Sequence, residues 1–394
     1  MTTKSDVDRS SEHEEVTPLE LLFDLVFAFA VSQLSHHLSA HLSWQSAAET
    51  VVMLLAVLTV WSYTSWAATM VRADQSKTRW MMLAVMLFGL FMNAAIPGAF
   101  KTSAWEFVVP LLLIQLGRTV WTIVTAPDAM YREHYFRVLG WLVATTPLWI
   151  VGASTDPSTS LAWWGLAAGI DLVGTWLAHP VPGRRLHSER IVFNASHMLE
   201  RCRLFLLIAL GETVLMTGTA IADAPMNLLT VITGCFALAG TVALWSLTFG
   251  RSIYLTARHL EVTSDPVRIS RHAVNAVMVM VAGLIAVAVA NEEVISHPRA
   301  DASAGLSLLL AGGPLLFLAA QGWFLCAVPN VRSHFHAISV ATLVLVGLVT
   351  LVVPPYAALI VAGAVLSTLA IFEPDPNEDV ASNESTEHTN HHHR

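Results

Sequence analysis

About a dozen apolar runs, each close to the length that a bilayer core demands, recur along the chain and decide what it can fold into. Read from hydropathy they cover residues 18–39, 46–71, 80–100, 103–126, 136–152, 160–178, 198–221, 227–250, 272–291, 305–327, 334–353 and 355–372. The fold class expected is all-α, a polytopic transmembrane helix bundle of about twelve helices. Composition agrees: of 394 residues 55% are hydrophobic and only 13% charged, about half the charged share of a soluble protein. A soluble core cannot explain that deficit. The last two runs are separated by Pro354-Pro355, which leaves either a very tight turn or a single broken helix.

Basic residues supply a check on the helix count, because cytoplasmic loops collect Lys and Arg. Lys4 and Arg9 precede the first run; Arg72, Lys77, Arg79, Arg132, Arg137, Arg184, Arg185, Arg190, Arg251, Arg258, Arg268, Arg271, Arg332 and Arg394 fall on the same side of an alternating path. Only Lys101 and Arg299 fall on the other, so the alternation puts both termini in the cytoplasm. The organisation expected is a cytoplasmic acidic arm (1–17), a first six-helix half (18–178), a basic linker (179–197), a second six-helix half (198–372) and an acidic, His-containing tail (373–394). The arm is too acidic for a secretory signal peptide, so insertion is expected to begin with the first helix. The net charge of −8 lies largely in the two tails, and no basic face for nucleic acid is visible. Cys202, Cys235 and Cys326 are far apart and form neither a zinc spacing nor a disulfide framework.

The halves echo each other. Glu20 matches Glu200, Trp61-Ser62-Tyr63-Thr64 matches Trp245-Ser246-Leu247-Thr248, and Ala84-Val85-Met86 matches Ala276-Val277-Met278, at offsets of 180, 184 and 192. Such spacing suggests a six-plus-six parallel repeat, an arrangement that transporters use.

Chemistry is carried by the few polar groups inside the apolar runs. Glu20 and Asp24 are one turn apart and share a helix face. Asp24 lies about 9 Å into its helix, where a carboxylate is costly unless it lines a cavity or meets a partner. Gln115, Arg118, Thr122 and Thr125 line one face of the fourth run. Arg118 calls for a carboxylate partner, with Asp24, Asp171 and Glu212 as the available acids. Glu212 lies about 13 Å along the axis from Arg203, near the midplane, where a carboxyl suits either proton carriage or neutralisation of Arg118. His197 and Glu200, three residues apart, could join Glu20 and Asp24 if the first and seventh helices meet. His197, Glu200 and Asp24 are then the candidate ligands of a divalent metal, a set too small to be specific. No other cofactor is evident. An outer group of Asn291, Glu292, Glu293 and His297, with His36 and His37, could sense pH or bind a cation. Asn93 with Pro97-Gly98, and Gly312-Gly313-Pro314 with Gln321, are expected to break their helices.

Glu20-Leu-Leu-Phe-Asp24-Leu-Val-Phe, together with Glu200-Arg-Cys-Arg-Leu-Phe-Leu-Leu-Ile-Ala-Leu-Gly-Glu212, resembles the low temperature requirement protein A (LtrA) family of bacterial membrane proteins from about Thr17 to Phe372. The chain departs from the family pattern at Leu22, where a Phe is usual, and at Arg203, where a Gly is usual. The resemblance implies a polytopic inner-membrane protein and supplies no agreed reaction. The residues themselves point first to a transporter or permease for a small solute or ion, binding substrate or protons at Glu20, Asp24, Gln115, Arg118, Asp171, Glu200, Arg203 and Glu212. The alternatives are an intramembrane enzyme acting on a lipid or isoprenoid, whose phosphate Arg201 and Arg203 could hold, and a structural or stress-linked membrane protein. The expected partners are the lipid bilayer and a small-molecule, ionic or lipid-like substrate.

Overall fold

The chain enters its first helix through a reciprocal cap. Thr17 Oγ1 accepts the backbone N–H of Glu20 at 3.3 Å, while Glu20 Oε2 accepts the backbone N–H and the hydroxyl of Thr17 at 2.9 and 3.0 Å. This is the Thr-x-x-Glu capping box, with Pro18 at the first helical position, where its missing N–H costs nothing. The device recurs. Asp156 precedes Pro157 and accepts Thr159 N–H at 3.2 Å, and Asp265 precedes Pro266 and accepts Arg268 N–H at 3.0 Å. The donors from Ser158 and Thr159 hold the exposed Asp156 carboxyl below the usual carboxylate range.

The computed structural model describes residues 16–71, 76–126, 129–180, 193–249, 265–301, 303–326 and 334–372. Within them lie twelve α-helices: α1 (Pro18–Ala40), α2 (Trp44–Val71), α3 (Ser76–Ala94), α4 (Ala104–Thr125), α5 (Ala129–Ala153), α6 (Pro157–Trp176), α7 (Ala195–Asp223), α8 (Leu228–Phe249), α9 (Pro266–Ser296), α10 (Ala304–Cys326), α11 (His334–Thr350) and α12 (Pro355–Ile371). A single 3-10 turn, Ile96–Gly98, follows α3. No strand occurs among the described residues. The acidic arm through Glu15, the tail from Glu373, and Arg72, Arg184, Arg185, Arg190, Arg251, Arg258 and Arg332 lie outside them.

Each apolar run has become a helix, and the differences fall at the ends. α5 begins at Ala129 rather than near 136, and α9 runs for 31 residues rather than over 272–291. Hydropathy stops at charged side chains such as Arg132, Glu133, Arg268 and Glu293, whereas backbone hydrogen bonding carries on through them. At Pro354-Pro355 the tight turn is the outcome, with Pro355 opening α12. Asn93 and Pro97-Gly98 do mark the end of α3, but Gly312-Gly313-Pro314 leaves α10 unbroken. Gly313 serves close approach instead: a Cβ on it would sit 2.9 Å from Gly283 O, and one on Gly283 would sit 2.6 Å from Gly313 O. Among the described residues eight helices, α1, α2, α4, α5, α7, α8, α9 and α10, are long and apolar enough to cross a bilayer. α11 and α12, at 17 residues each, would span about 25 Å.

Contacts group the chain into two compact units, residues 1–33, 51–208 and 265–274 in one, and 34–50, 209–264 and 275–394 in the other. In the first, α3, α4, α5 and α6 pack each on the next. Trp164 centres that packing, with its ring centroid 4.7 Å from Phe100 and 5.9 Å from Trp149, and its Nε1–H donates to Trp149 O at 3.0 Å. In the second unit α12 lies against α8, and α10, α11 and α12 pack on one another. Gly363 makes the α8 contact possible, since a Cβ there would meet Phe236 O at 2.6 Å. The echoed tryptophans differ in setting: Trp61 is fully buried, while Trp245 is exposed and stacks on Phe249.

Candidate functional site

Two carboxylates on α1 face two basic side chains on α7 at the same spacing. Glu20 and Asp24 are four residues apart, as are His197 and Arg201, so each pair presents one helical turn to the other. Arg201 Nη2 donates to Asp24 Oδ1 at 2.8 Å, a charge-assisted bond of full strength. Its Nη1 lies 3.7 Å from Glu20 Oε1, and His197 Nε2 lies 3.3 Å from Glu20 Oε2. Glu20, Asp24 and Arg201 are wholly buried. Asn194 fixes the entry of α7 by accepting His197 N–H at 3.0 Å, which sets the register of this face.

A second helix holds the acid in place. Trp61 on α2 donates its Nε1–H to Asp24 Oδ1 at 2.8 Å and stacks on Phe205 of α7 with centroids 4.5 Å apart. The Arg201 guanidinium lies 5.3 Å from the centroid of the Phe23 ring. Asp24 Oδ1 therefore takes two donors, while Asp24 Oδ2 and Glu20 Oε1, both buried, receive no hydrogen bond. Two carboxylates share one guanidinium, so the cluster holds more negative charge than permanent positive charge.

The other expected residues lie elsewhere. Arg118 is buried on α4, and its partners are neutral: Nη1 donates to Val60 O and Thr64 Oγ1, both at 3.3 Å, and Nη2 to Thr119 Oγ1 at 3.4 Å. The cation that meets Asp24 is Arg201. Asp171 is buried on α6 and accepts the Thr145 hydroxyl at 2.9 Å. Glu200 forms a half-exposed ion pair with Arg203. His197, Glu200 and Asp24 thus do not converge, and among the described residues no three His, Cys, Asp or Glu side chains form a metal-binding group. Gln115 is buried one turn from Arg118. Glu212 is buried in the second unit beside Thr213, whose hydroxyl donates to Thr241 at 3.2 Å. Also in the second unit, His37 pairs with Glu49 at 3.0 Å, and His297 with Glu293 at 3.4 Å.

Sequence reasoning took Arg201 only as a holder of phosphate and Trp61 and Tyr63 only as part of an echoed motif, and it passed over His179. The Tyr63 hydroxyl lies 2.9 Å from Thr175 Oγ1 and 2.6 Å from His179 Nε2. Thr175 spends its own proton on Asp171 O at 2.9 Å, so it accepts from Tyr63, and Tyr63 in turn accepts from His179 Nε2–H. His179 reaches that position through a left-handed exit from α6, with φ of 56° at Ala178 and 54° at His179. Gly174 clears space for the ring, since a Cβ there would be 3.1 Å from His179 Cδ2.

A bundle of apolar helices enclosing ion-paired carboxylates, guanidinium and imidazole defines a multi-pass helical membrane protein with a buried charge cluster. The chain belongs to the bacterial low temperature requirement A protein (LtrA) family, whose profile matches residues 15–371. An uncharacterized protein of Rhizobium meliloti (strain 1021) is 30% identical over 362 residues, which cover 90% of this chain and 88% of that protein. No solved structure matches the chain.

Proposed function

We propose that the protein is a permease that moves a small solute or ion across the bacterial cytoplasmic membrane, with both termini cytoplasmic, and that protonation of the Glu20–Asp24 pair is coupled to the movement. The observation that carries this reading is the uneven charge of the cluster: two fully buried carboxylates around one guanidinium, each acid keeping an oxygen that no donor reaches. A proton arriving at either oxygen balances the cluster and weakens the grip of Arg201, which gives α1 and α7 two states of pairing. The paired motifs of residues 18–178 and 198–372 support a duplicated architecture of the kind transporters use.

The lipid-enzyme reading is weaker, because it asks Arg201 to hold a phosphate while Asp24 already engages that guanidinium. Purified protein in proteoliposomes, loaded with a pH-sensitive dye and given an inward proton gradient, tests the proposal against a panel of small solutes and ions. The expected result is solute-dependent acidification in the wild type that is lost in Asp24→Asn. No proton-coupled uptake for any solute, or an Asp24→Asn variant that transports like wild type, would sink it.

A further inference from the structure

Arg118 is a buried cation that the acid cluster does not use. Its three hydrogen bonds, at 3.3, 3.3 and 3.4 Å, go to neutral oxygens and are longer than the 2.8 Å bond of Arg201. A charge-assisted bond is ordinarily about 2.7–2.9 Å. Among the described residues Arg118 has no carboxylate within ion-pair distance, and the Tyr63 ring, 5.1 Å away at its centroid, offers only a π-face. Its Nε–H is buried without an acceptor, and so is the amide nitrogen of Gln115, one turn earlier on the same face of α4. A guanidinium in such a setting costs several kcal/mol unless negative charge reaches it.

We propose that Arg118 and Gln115 bind a small monoanion, and that this anion is the solute of the permease. The residues that would touch it are nearly inaccessible, with Gln115 1% and Arg118 3% exposed, so the packing favours a compact ion over a bulky one. One stretch of α2 serves both clusters: Val60 and Thr64 accept from Arg118, and Trp61 between them donates to Asp24. An anion at Arg118 and a proton at Asp24 would balance in charge, the stoichiometry of an electroneutral symporter. The identity of the solute rests on the permease reading; anion binding at Arg118 does not.

Anion binding is therefore measured without flux, as the melting shift of detergent-purified protein titrated with chloride, formate or acetate against a bulky sulfonate at constant ionic strength. Wild type is expected to be stabilised saturably by at least one small anion. Gln115→Leu is expected to weaken the half-saturation by about tenfold, equivalent to about 1.4 kcal/mol, and Arg118→Gln to abolish the shift. Should Arg118→Gln fail to fold, Arg118→Lys, which keeps the charge and loses the guanidinium fork, takes its place and must also weaken binding. A wild type indifferent to all three anions, or equal shifts in wild type and Gln115→Leu, overturns the site. Displacement of the bound anion by added phosphatidylglycerol would also overturn it, assigning Arg118 to a lipid phosphate. Anion binding without proton-driven uptake leaves the site standing and removes the permease.

Discussion

Arg201 holds two acids that have no other full charge partner, and that makes its loss unusually costly. Arg201→Met leaves Glu20 and Asp24 buried with only His197 to answer them, which should destabilise the protein by about 3–5 kcal/mol. Adding Asp24→Asn should restore most of that loss, because it removes one of the two buried charges that Arg201→Met leaves unanswered. Melting of the two purified variants in detergent measures both; equal instability in each would mean that Arg201 acts through packing. Trp61→Phe keeps a ring against Phe205 and removes the donor to Asp24, and is expected to cost about 1–3 kcal/mol. The sequence made Glu20 and Asp24 legible as a pair because a four-residue spacing on a membrane helix has one geometric meaning. The same spacing, His197 to Arg201, was equally available, yet three basic or acidic neighbours at the start of α7 drew attention to Glu200 and Arg203, which face outward. Arg118 was legible as buried but not as unpaired, since partner choice depends on how helices rotate about their axes.

Helix ends and helix contacts carry the next set of consequences. Hydropathy located the twelve elements because lipid enforces long apolar runs, but the Gly312-Gly313-Pro314 triplet, expected to break its helix, instead lets Gly313 admit the backbone of α9. Gly313→Leu would drive its Cβ into contacts of 2.9 Å with Gly283 O and the Val287 side chain. Overpacking of this kind ordinarily costs about 1–3 kcal/mol, and the expected outcome is a lower melting temperature with the acid cluster of the first unit intact. At the end of α6, burial pushes the His179 imidazole down to about 3, with the charges of His134 and Arg137 adding to it. The unfolded chain, with an ordinary imidazole near 6.5, therefore binds a proton that the folded chain refuses. Stability is fully present above about pH 6.5 and is lost as pH falls from there toward 3. Melting temperature recorded from pH 8 to pH 5 should decline, and His179→Gln should flatten part of that decline; an unchanged slope would place the acid sensitivity elsewhere.

At the scale of the whole molecule the question is which side of the membrane each loop occupies. By hydropathy alone, sixteen basic residues are expected on one side of a path of twelve crossings and two on the other, and an even number of crossings would return both termini to the basic side. The short helices test that count, because α11 and α12 reach only about 25 Å, less than the ~30 Å hydrocarbon of a typical bilayer. If both cross, local thinning of the bilayer makes up the difference; if the pair instead dips in and returns, the termini still share a side. A single uncrossed helix among α1 to α10 would reverse everything after it. Fluorescent-protein and alkaline-phosphatase fusions separate these outcomes. Fluorescence is expected from a fusion after Phe372, and phosphatase activity from fusions in the loops that carry Lys101 and Arg299. Phosphatase activity after Phe372 would mean an odd number of crossings, and would also put the acid cluster, at the α1 start, across the membrane from the C-terminal tail.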